Sequence, residues 1–164
     1  DNLNLTQGAT AQHNWVVFRY AEILLNYAEA MNEAYGPDNN NKGAYALTAR
    51  EALQMVRDRA SMQLPEVEAD TKEEFREAVK HERRIELAFE DHRYWDLLRW
   101  KEDAMEVLNQ PVYGVKITKN GENSWSYETV EVAKRTFLER NYYMPFSRSE
   151  IENSNYTLEQ NPGY

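Results

Sequence analysis

The sequence contains no cysteine among its 164 residues. Disulfides, thiolate metal ligands and a cysteine nucleophile are therefore excluded as sources of stability or chemistry. No apolar run approaches the roughly 18 to 20 residues that a membrane-spanning helix requires. A chain of this length nevertheless buries about 68–70% of its unfolded surface, so we expect residues 1–164 to form a single domain without a covalent staple.

Basic residues are outnumbered, with 19 Lys and Arg against 28 Asp and Glu, and the formal net charge is −9. No run of Lys or Arg offers a local exception, and this balance excludes nucleic acid as an expected partner. His13, His81 and His92 show no metal-ligand spacing, and the sequence has no glycine-rich phosphate loop or nucleophile elbow. We therefore expect no metal and no cofactor.

Helical periodicity dominates the first part of the chain. Apolar residues recur at helical spacing between 19 and 60, in two stripes separated by the loop-forming sequence "YGPDNNN". The stripes are Tyr20, Leu24, Tyr27 and Met31, then Ala49, Ala52, Leu53, Val56 and Ala60. They predict a tetratricopeptide-like hairpin of two helices, the first ending at a left-handed Gly36.

Two further helices are predicted over 71–108. Thr71 and Glu74 form a capping box at the start of the first of them, which is expected to run to about Phe89, and the second begins near Asp91 or His92. Beyond them, strict alternation predicts a small β-hairpin over 112–130 that turns at Asn120-Gly121. Residues 141–164 are predicted to form an irregular C-terminal tail with one capped turn, Ser147 to Glu150, and we expect Tyr142, Tyr143, Met144 and Phe146 to dock it on the helices. The predicted fold class is mainly α.

Two carboxylates, Glu82 and Glu86, fall with Phe89 on the face of the third helix that should be buried. One explanation is a catalytic pair, as in glycoside hydrolysis, and the other is an ion-pair network. Side chains at i and i+4 lie side by side, about 5 to 6 Å apart at Cβ, instead of flanking a substrate, so we favour the network. The candidate partners are Arg19, Arg57, Arg59, Arg83, Arg84, Arg93 and Arg99, of which we assign Arg19, Arg83 and Arg93 to the network.

Four segments carry a resemblance to a known family. They are "RYAEILLNYAEAMNEAYG", "ALQMVRDRA", "ERRIELAFEDHRYWDLLRW" and "YYMPFSRSEIENSNYTLEQNPGY". In order and separation they resemble the carboxy-terminal part of the SusD/RagB family. The resemblance extends over nearly the whole chain from Trp15 onward.

The resemblance implies a lipid-anchored protein at the outer-membrane surface of Gram-negative bacteria. Such a protein is not an enzyme: it captures oligosaccharide, or in some branches peptide, and passes it to a SusC-type TonB-dependent transporter. The chain would be a fragment without the signal peptide, the lipidated cysteine and most of the ligand site. "ERRIELAFE" and "NPGY" would be scaffold, and Asp91 stands where many relatives have glycine.

Aromatic residues make up 12% of the chain, and sugars stack on such rings. Our candidates for ring contacts with a glycan are Trp125 and Tyr127 on the predicted hairpin, followed by Trp15. Two other classes of protein remain open. One is a tetratricopeptide-type adaptor that uses the apolar face of 19–60 as a groove, and the other is a glycosidase that uses Glu82 and Glu86.

Overall fold

The computed structural model describes residues 17–164, which form two compact units divided between Glu90 and Asp91. The mainly α prediction is confirmed, because this part of the chain contains six α-helices and one two-stranded antiparallel sheet. The helices are α1 (Tyr20–Tyr35), α2 (Ala49–Arg57), α3 (Lys72–Glu86), α4 (His92–Arg99), α5 (Glu102–Leu108) and α6 (Arg148–Asn153). The strands are β1 (Val112–Gly121) and β2 (Ser124–Ala133).

In the first unit, α1 contacts both α2 and α3 around one apolar core. Ala28, Ala49 and Ala52 are fully buried, and such small side chains allow close contact between helices. The other core residues are Ala21, Leu24, Leu25, Met31, Leu53, Val56, Ala69, Phe75, Val79 and Leu87. The helical periodicity therefore predicted this core well, although Tyr20 is exposed.

The helical hairpin departs from prediction at its loop and at its second helix. Gly36 has a φ of 86° and a ψ of 177°, a region that essentially only glycine occupies, and not the left-handed helical conformation. A long loop follows before α2 begins at Ala49, and α2 ends at Arg57, before the exposed Ala60. The early end has a backbone cause: Leu64 N–H donates to the Arg57 carbonyl at 3.0 Å and turns the chain back.

Helix α3 begins as predicted, because Thr71 and Glu74 form a complete capping box. It ends at Glu86, and Phe89, predicted to lie on its buried face, is fully exposed with a φ of 65°. One cause is visible at the helix end, where Arg19 Nη2 donates to the Glu86 carbonyl oxygen. Such carbonyls lack a partner within the helix, so this donor favours termination there.

The break between α3 and α4 is confirmed at Asp91, which is left-handed with a φ of 61° and a ψ of 10°. Its side chain makes no capping hydrogen bond to α4, so capping does not explain the residue. Aspartate tolerates this conformation better than most residues do. The left-handed backbone conformation that glycine would adopt most easily is therefore kept here by an aspartate.

The second unit has its own small core, formed by Leu97, Ala104 and Phe137. The predicted continuous fourth helix is wrong, because Lys101 has a φ of 53° and separates α4 from α5. Tyr142 packs on this core, with its ring 5.0 Å from that of Phe137 and edge-on to it, and its hydroxyl donates to the Lys101 carbonyl oxygen. That bond adds to the one that the same carbonyl accepts from the Ala104 N–H at 3.1 Å, so two groups hold the backbone at the break.

The β-hairpin turns at residues 122–123, and the prediction of an Asn120-Gly121 turn is wrong. The observed register sets Ile117 opposite Tyr127 and Val115 opposite Thr129, with an irregularity between Lys119 and Gly121. A turn at Asn120-Gly121 would instead set Ile117 opposite Ser124. Cross-strand pairs between aromatic and β-branched residues stabilise a sheet, and this preference outweighs the turn signal.

Polar contacts hold the tail around α6, whose capping box at Ser147 and Glu150 is confirmed. Gln160 donates to the Phe146 carbonyl at 3.0 Å and accepts from its N–H at 2.9 Å, and Asn161 donates to the Met144 carbonyl at 2.6 Å. Tyr143 and Met144, which we expected to dock, are exposed. Hydrogen bonds between the Gln160 and Asn161 side chains and the backbone therefore order a segment that buries little apolar surface.

Candidate functional site

Glu82 lies on α3 and is only 6% exposed. Its Oε2 accepts a hydrogen bond from Nη1 of Arg57 at the end of α2. Arg57 Nε also donates to the Pro65 carbonyl at 3.1 Å, so the guanidinium is held from two directions. The buried carboxylate thus ties α3 to the carboxyl end of α2.

Glu86 joins three parts of the first unit. Arg19, just before α1, donates to Oε1, and Arg59, just after α2, donates to Oε1 at 2.7 Å and to Oε2. Both carboxylate oxygens therefore accept charge-assisted hydrogen bonds. No oxygen of Glu86 remains without a guanidinium contact.

Arg19 is shared between Glu86 and Glu90, and its Nε lies 2.8 Å from Glu90 Oε2. The pKa of Arg19 is raised further above its usual range, mainly by the hydrogen bonds to Glu90 and then by those to Glu86, against the opposing effect of burial. We call this set the carboxylate network and define it as Glu82, Glu86, Glu90, Arg19, Arg57 and Arg59.

The other two arginines predicted for the network are Arg83 and Arg93. Arg83, only 3% exposed, faces α1, where its Nη1 donates to Asn26 Oδ1 at 2.6 Å and its Nε lies 4.0 Å from Glu29 Oε2. Arg93 is half-buried on α4 in the second unit. Glu90 was missed, because the helix predicted through Phe89 gave no reason to turn it toward Arg19.

The second candidate site is on the β-hairpin. Trp125 and Tyr127 are 51% and 69% exposed, although both are large aromatic residues. They alternate with serine along β2, so both rings lie on one face of the sheet, about 7 Å apart along the strand. Residues directly opposite them in the register, Lys119 and Ile117, share that face.

The same face continues through two further pairs, Val115 with Thr129 and Tyr113 with Glu131, and Tyr113 and Val115 are also exposed. We call it the ring face. Its members are Tyr113, Val115, Ile117, Lys119, Trp125, Tyr127, Thr129 and Glu131. Trp15, the third predicted ring contact, lies outside the described residues.

Neither site resembles a metal centre. Between residues 17 and 164, no group of three or more His, Asp or Glu side chains is arranged to hold a metal ion. Across the same part of the chain, every helix is too short or too polar to cross a bilayer.

The family model described as the SusD family matches residues 2–164. The chain is 30% identical to SusD-like protein P2 of Formosa agariphila over 158 residues, and 38% identical to SusD-like protein P25 of the same organism over 103 residues. These alignments span 96% and 60% of this chain, but only 27% and 18% of the two relatives.

Two crystal structures of Bacteroides fragilis proteins agree with this chain. A SusD-like protein superposes with a TM-score of 0.74 at 35% identity, covering 92% of this chain and 26% of that one. A SusD-like carbohydrate-binding protein superposes with a TM-score of 0.62 at 36% identity, covering 82% and 27%. A helical architecture of this class, matched by sequence along almost its whole length, defines the relationship. This chain belongs to the SusD family, and it spans about a quarter or less of the length of the relatives it matches.

Proposed function

We propose that this chain is part of a cell-surface protein that captures an oligosaccharide and passes it to a SusC-type, TonB-dependent outer-membrane transporter. In this proposal both compact units belong to the carboxy-terminal region of one longer protein, which a lipid anchor holds at the outer membrane. Family membership supports the proposal, as does the description of one structural relative as a carbohydrate-binding protein.

The observation that carries the proposal is the exposed pair of rings on β2. The C–H face of a sugar packs on an aromatic ring, and its hydroxyls bond to nearby polar groups. Trp125 and Tyr127 offer two such rings at adjacent positions of one face, and Thr129 and Glu131 supply polar groups beside them. A short run of sugar units can therefore lie along β2.

For the carboxylate network we propose a structural role and no catalytic one. General acid–base catalysis requires a carboxyl group within hydrogen-bond reach of the reacting atom. Both oxygens of Glu86 already contact guanidinium groups, and Glu82 is buried against Arg57. Removing a partner would leave a buried charge unpaired, so a structural role agrees better with these contacts than a glycosidase role does.

The adaptor alternative has less support. The apolar face of α1 and α2 that would form its groove is buried in the core with Phe75, Val79 and Leu87 of the α3 region. A protein ligand of that groove would have to displace this core. A panel of oligosaccharide and peptide ligands distinguishes peptide capture from glycan capture.

The direct test is a panel of oligosaccharides and peptides applied to the intact protein, followed by calorimetric titration of each ligand that binds. Trp125→Ala should weaken oligosaccharide binding by about tenfold or more, because aromatic anchors dominate binding energies. Trp95→Ala is the matched control, since Trp95 is 56% exposed but lies on α4. Equal affinities for the two variants would remove the hairpin from the site, and binding of peptides alone would contradict glycan capture.

Transfer to a transporter requires a separate test. The gene encoding the protein should neighbour one for a large TonB-dependent barrel, and the two products should co-purify from detergent-solubilised outer membranes. Mass spectrometry should identify that barrel as the captured partner. Recovery of the protein without this barrel, in cells that express both, would contradict the proposal.

A further inference from the structure

The Trp125 end of the ring face carries an unneutralised positive charge. Lys119 is the register partner of Trp125, and its Nζ lies 5.6 Å from the centre of the indole ring. Within the described chain, Lys119 forms no ion pair. Lys116, on the opposite face of the hairpin, differs in this respect, because its Nζ lies 3.6 Å from Glu128 Oε2.

We propose that the Trp125 end of the ring face binds an anionic sugar unit. The pyranose stacks on the Trp125 indole, and its carboxylate or sulfate accepts a charge-assisted hydrogen bond from Lys119 Nζ. This inference rests on the proposed glycan capture and narrows the ligand to an acidic oligosaccharide. A uronic acid and a sulfated sugar share the required chemistry.

The geometry permits the exchange of contacts that binding needs. In the structure the ammonium group lies over the ring, where it makes a cation–π contact that is weak at an exposed site. The side chain of lysine is a flexible four-carbon stem, so the ammonium can move to the ring edge when a sugar occupies the ring. It then exchanges a cation–π contact for a bond to a full negative charge.

The negative charge of the whole chain does not prevent this local attraction. The formal net charge is −9, but charges separated by more than about 8 to 10 Å are largely screened at physiological ionic strength. Of the carboxylates on the hairpin, Glu128 pairs with Lys116, and Glu131 lies 3.9 Å from Lys134. Glu122, in the turn, is the acidic residue closest in sequence to Lys119.

The experiment compares charged and neutral forms of one sugar on the intact protein. The probes are oligogalacturonate, its fully methyl-esterified form, and a sulfated galactan oligosaccharide, each titrated at low and high salt. Lys119→Met should weaken binding of the acidic probes by up to about fivefold, the effect of one exposed ion pair, and leave the ester unchanged. High salt should reduce the difference in affinity for the acidic probes between Lys119→Met and the unchanged protein.

Two further variants sharpen the result. Lys116→Met removes an equal charge from the opposite face and should change no affinity, whereas Glu122→Gln should leave binding of the acidic probes unchanged or tighten it. Preference for the uronate or for the sulfate alone supports the inference and identifies the source of the charge.

The inference and the proposed function fail in different ways. Equal binding of acid and ester, unchanged by Lys119→Met but lost in Trp125→Ala, overturns the acidic ligand and leaves glycan capture intact. If Trp125→Ala binds the acidic probe and the ester as tightly as the unchanged protein does, both the acidic ligand and the proposed glycan capture at the ring face are overturned. Thermal melts of each variant confirm that these exposed substitutions leave the fold unchanged.

Discussion

The carboxylate network and the ring face place residue types in the opposite of their usual environments. The network buries the carboxylates of Glu82 and Glu86 against arginines that are partly exposed, whereas the ring face exposes tryptophan, tyrosine, valine and isoleucine. Burying a charge requires a matched partner, and exposing a large apolar group gives up the free energy of its burial. What each region can do therefore depends on the groups that surround it. The network supplies its own partners, and the ring face leaves room for a ligand.

The largest effect should come from breaking the network. Glu82→Gln leaves Arg57 without its buried carboxylate, and removal of one partner of a buried pair costs about 3–5 kcal/mol. Because the Arg57 side chain is 16% exposed, we expect a loss at the lower end, about 3 kcal/mol in the free energy of unfolding by urea. Glu77→Gln is the control on the same helix, since Glu77 is 70% exposed and should change stability by less than about 0.5 kcal/mol. Equal results for the two variants would show that the network does not hold the helices together.

A smaller effect should follow from crowding the contact between α1 and α2. Ala52 is fully buried, so Ala52→Leu adds atoms where the helices have no space and should cost about 1–3 kcal/mol. Ala60→Leu makes the same change at an exposed position beyond α2 and should be nearly neutral. The measurement is again urea unfolding. A stable Ala52→Leu protein would show that these helices approach less closely than the structure indicates.

Removal of a helix cap should cost less again. Thr71→Ala deletes the hydroxyl that accepts the Glu74 N–H at 3.1 Å, and loss of such a cap costs about 1 kcal/mol. Thr71→Ser keeps the hydroxyl and serves as the control. Thermal unfolding of both variants separates the cap from other effects of the substitution, and equal melting temperatures would remove the capping box as a source of stability.

Acid should weaken the first unit through carboxylates whose charged form is stabilised. The pKa of Glu33 is lowered from 4.5, first by its hydrogen bond with Arg76, and the pKa of Asp38 is lowered in the same way by Arg50. A carboxylate whose pKa is lower in the folded than in the unfolded state contributes its full stabilisation above the unfolded pKa. It loses that contribution as the pH falls through the folded pKa. Urea unfolding between pH 6 and about pH 3 should show this loss, and Glu33→Gln should reduce its slope. An unchanged slope would exclude Glu33 as a contributor.

The smallest change in stability should come from the ring face. Trp125→Ala removes a half-exposed ring and one cation–π contact, so the free energy of unfolding should change by less than about 1 kcal/mol. Together with a loss of ligand binding, this result would complete the contrast with Glu82→Gln, which should lose stability. A strong destabilisation would mean that Trp125 serves the fold, and the ring face would then be scaffold as well.

Much of the first unit could be predicted from the sequence, because helical spacing and caps are local. Leu24, Met31, Ala49, Leu53 and Val56 are buried as their spacing indicated, and the Thr71 cap formed three residues from its glutamate partner. The structural role of Glu82 and Glu86 and the ligand role of Trp125 and Tyr127 stay predictions, since only measurements on variants test them. The organisation of residues 1–164 as one domain also stays a prediction.

Predictions from neighbouring residues were wrong where a group distant in sequence fixes the end of a helix or the position of a turn. Arg19 accounts for the end of α3 at Glu86 and the recruitment of Glu90, although it lies far away in sequence. Cross-strand pairing moved the hairpin turn away from Asn120-Gly121, and the hydroxyl of Tyr142 bonds the carbonyl of Lys101 at the break between α4 and α5.

Local patterns along the chain were enough to predict the mainly α class, the buried stripes of α1 and α2, the caps of α3 and α6, and the need for partners at Glu82 and Glu86. Each of these follows from interactions between residues a few positions apart, or from the cost of burying a charge. Packing of the whole chain was needed to fix which arginines meet which glutamates, where the helices end and which residues pair across the hairpin. Those choices depend on side chains tens of residues apart competing for the same carboxylates and carbonyls, and such competition is settled only when the chain packs.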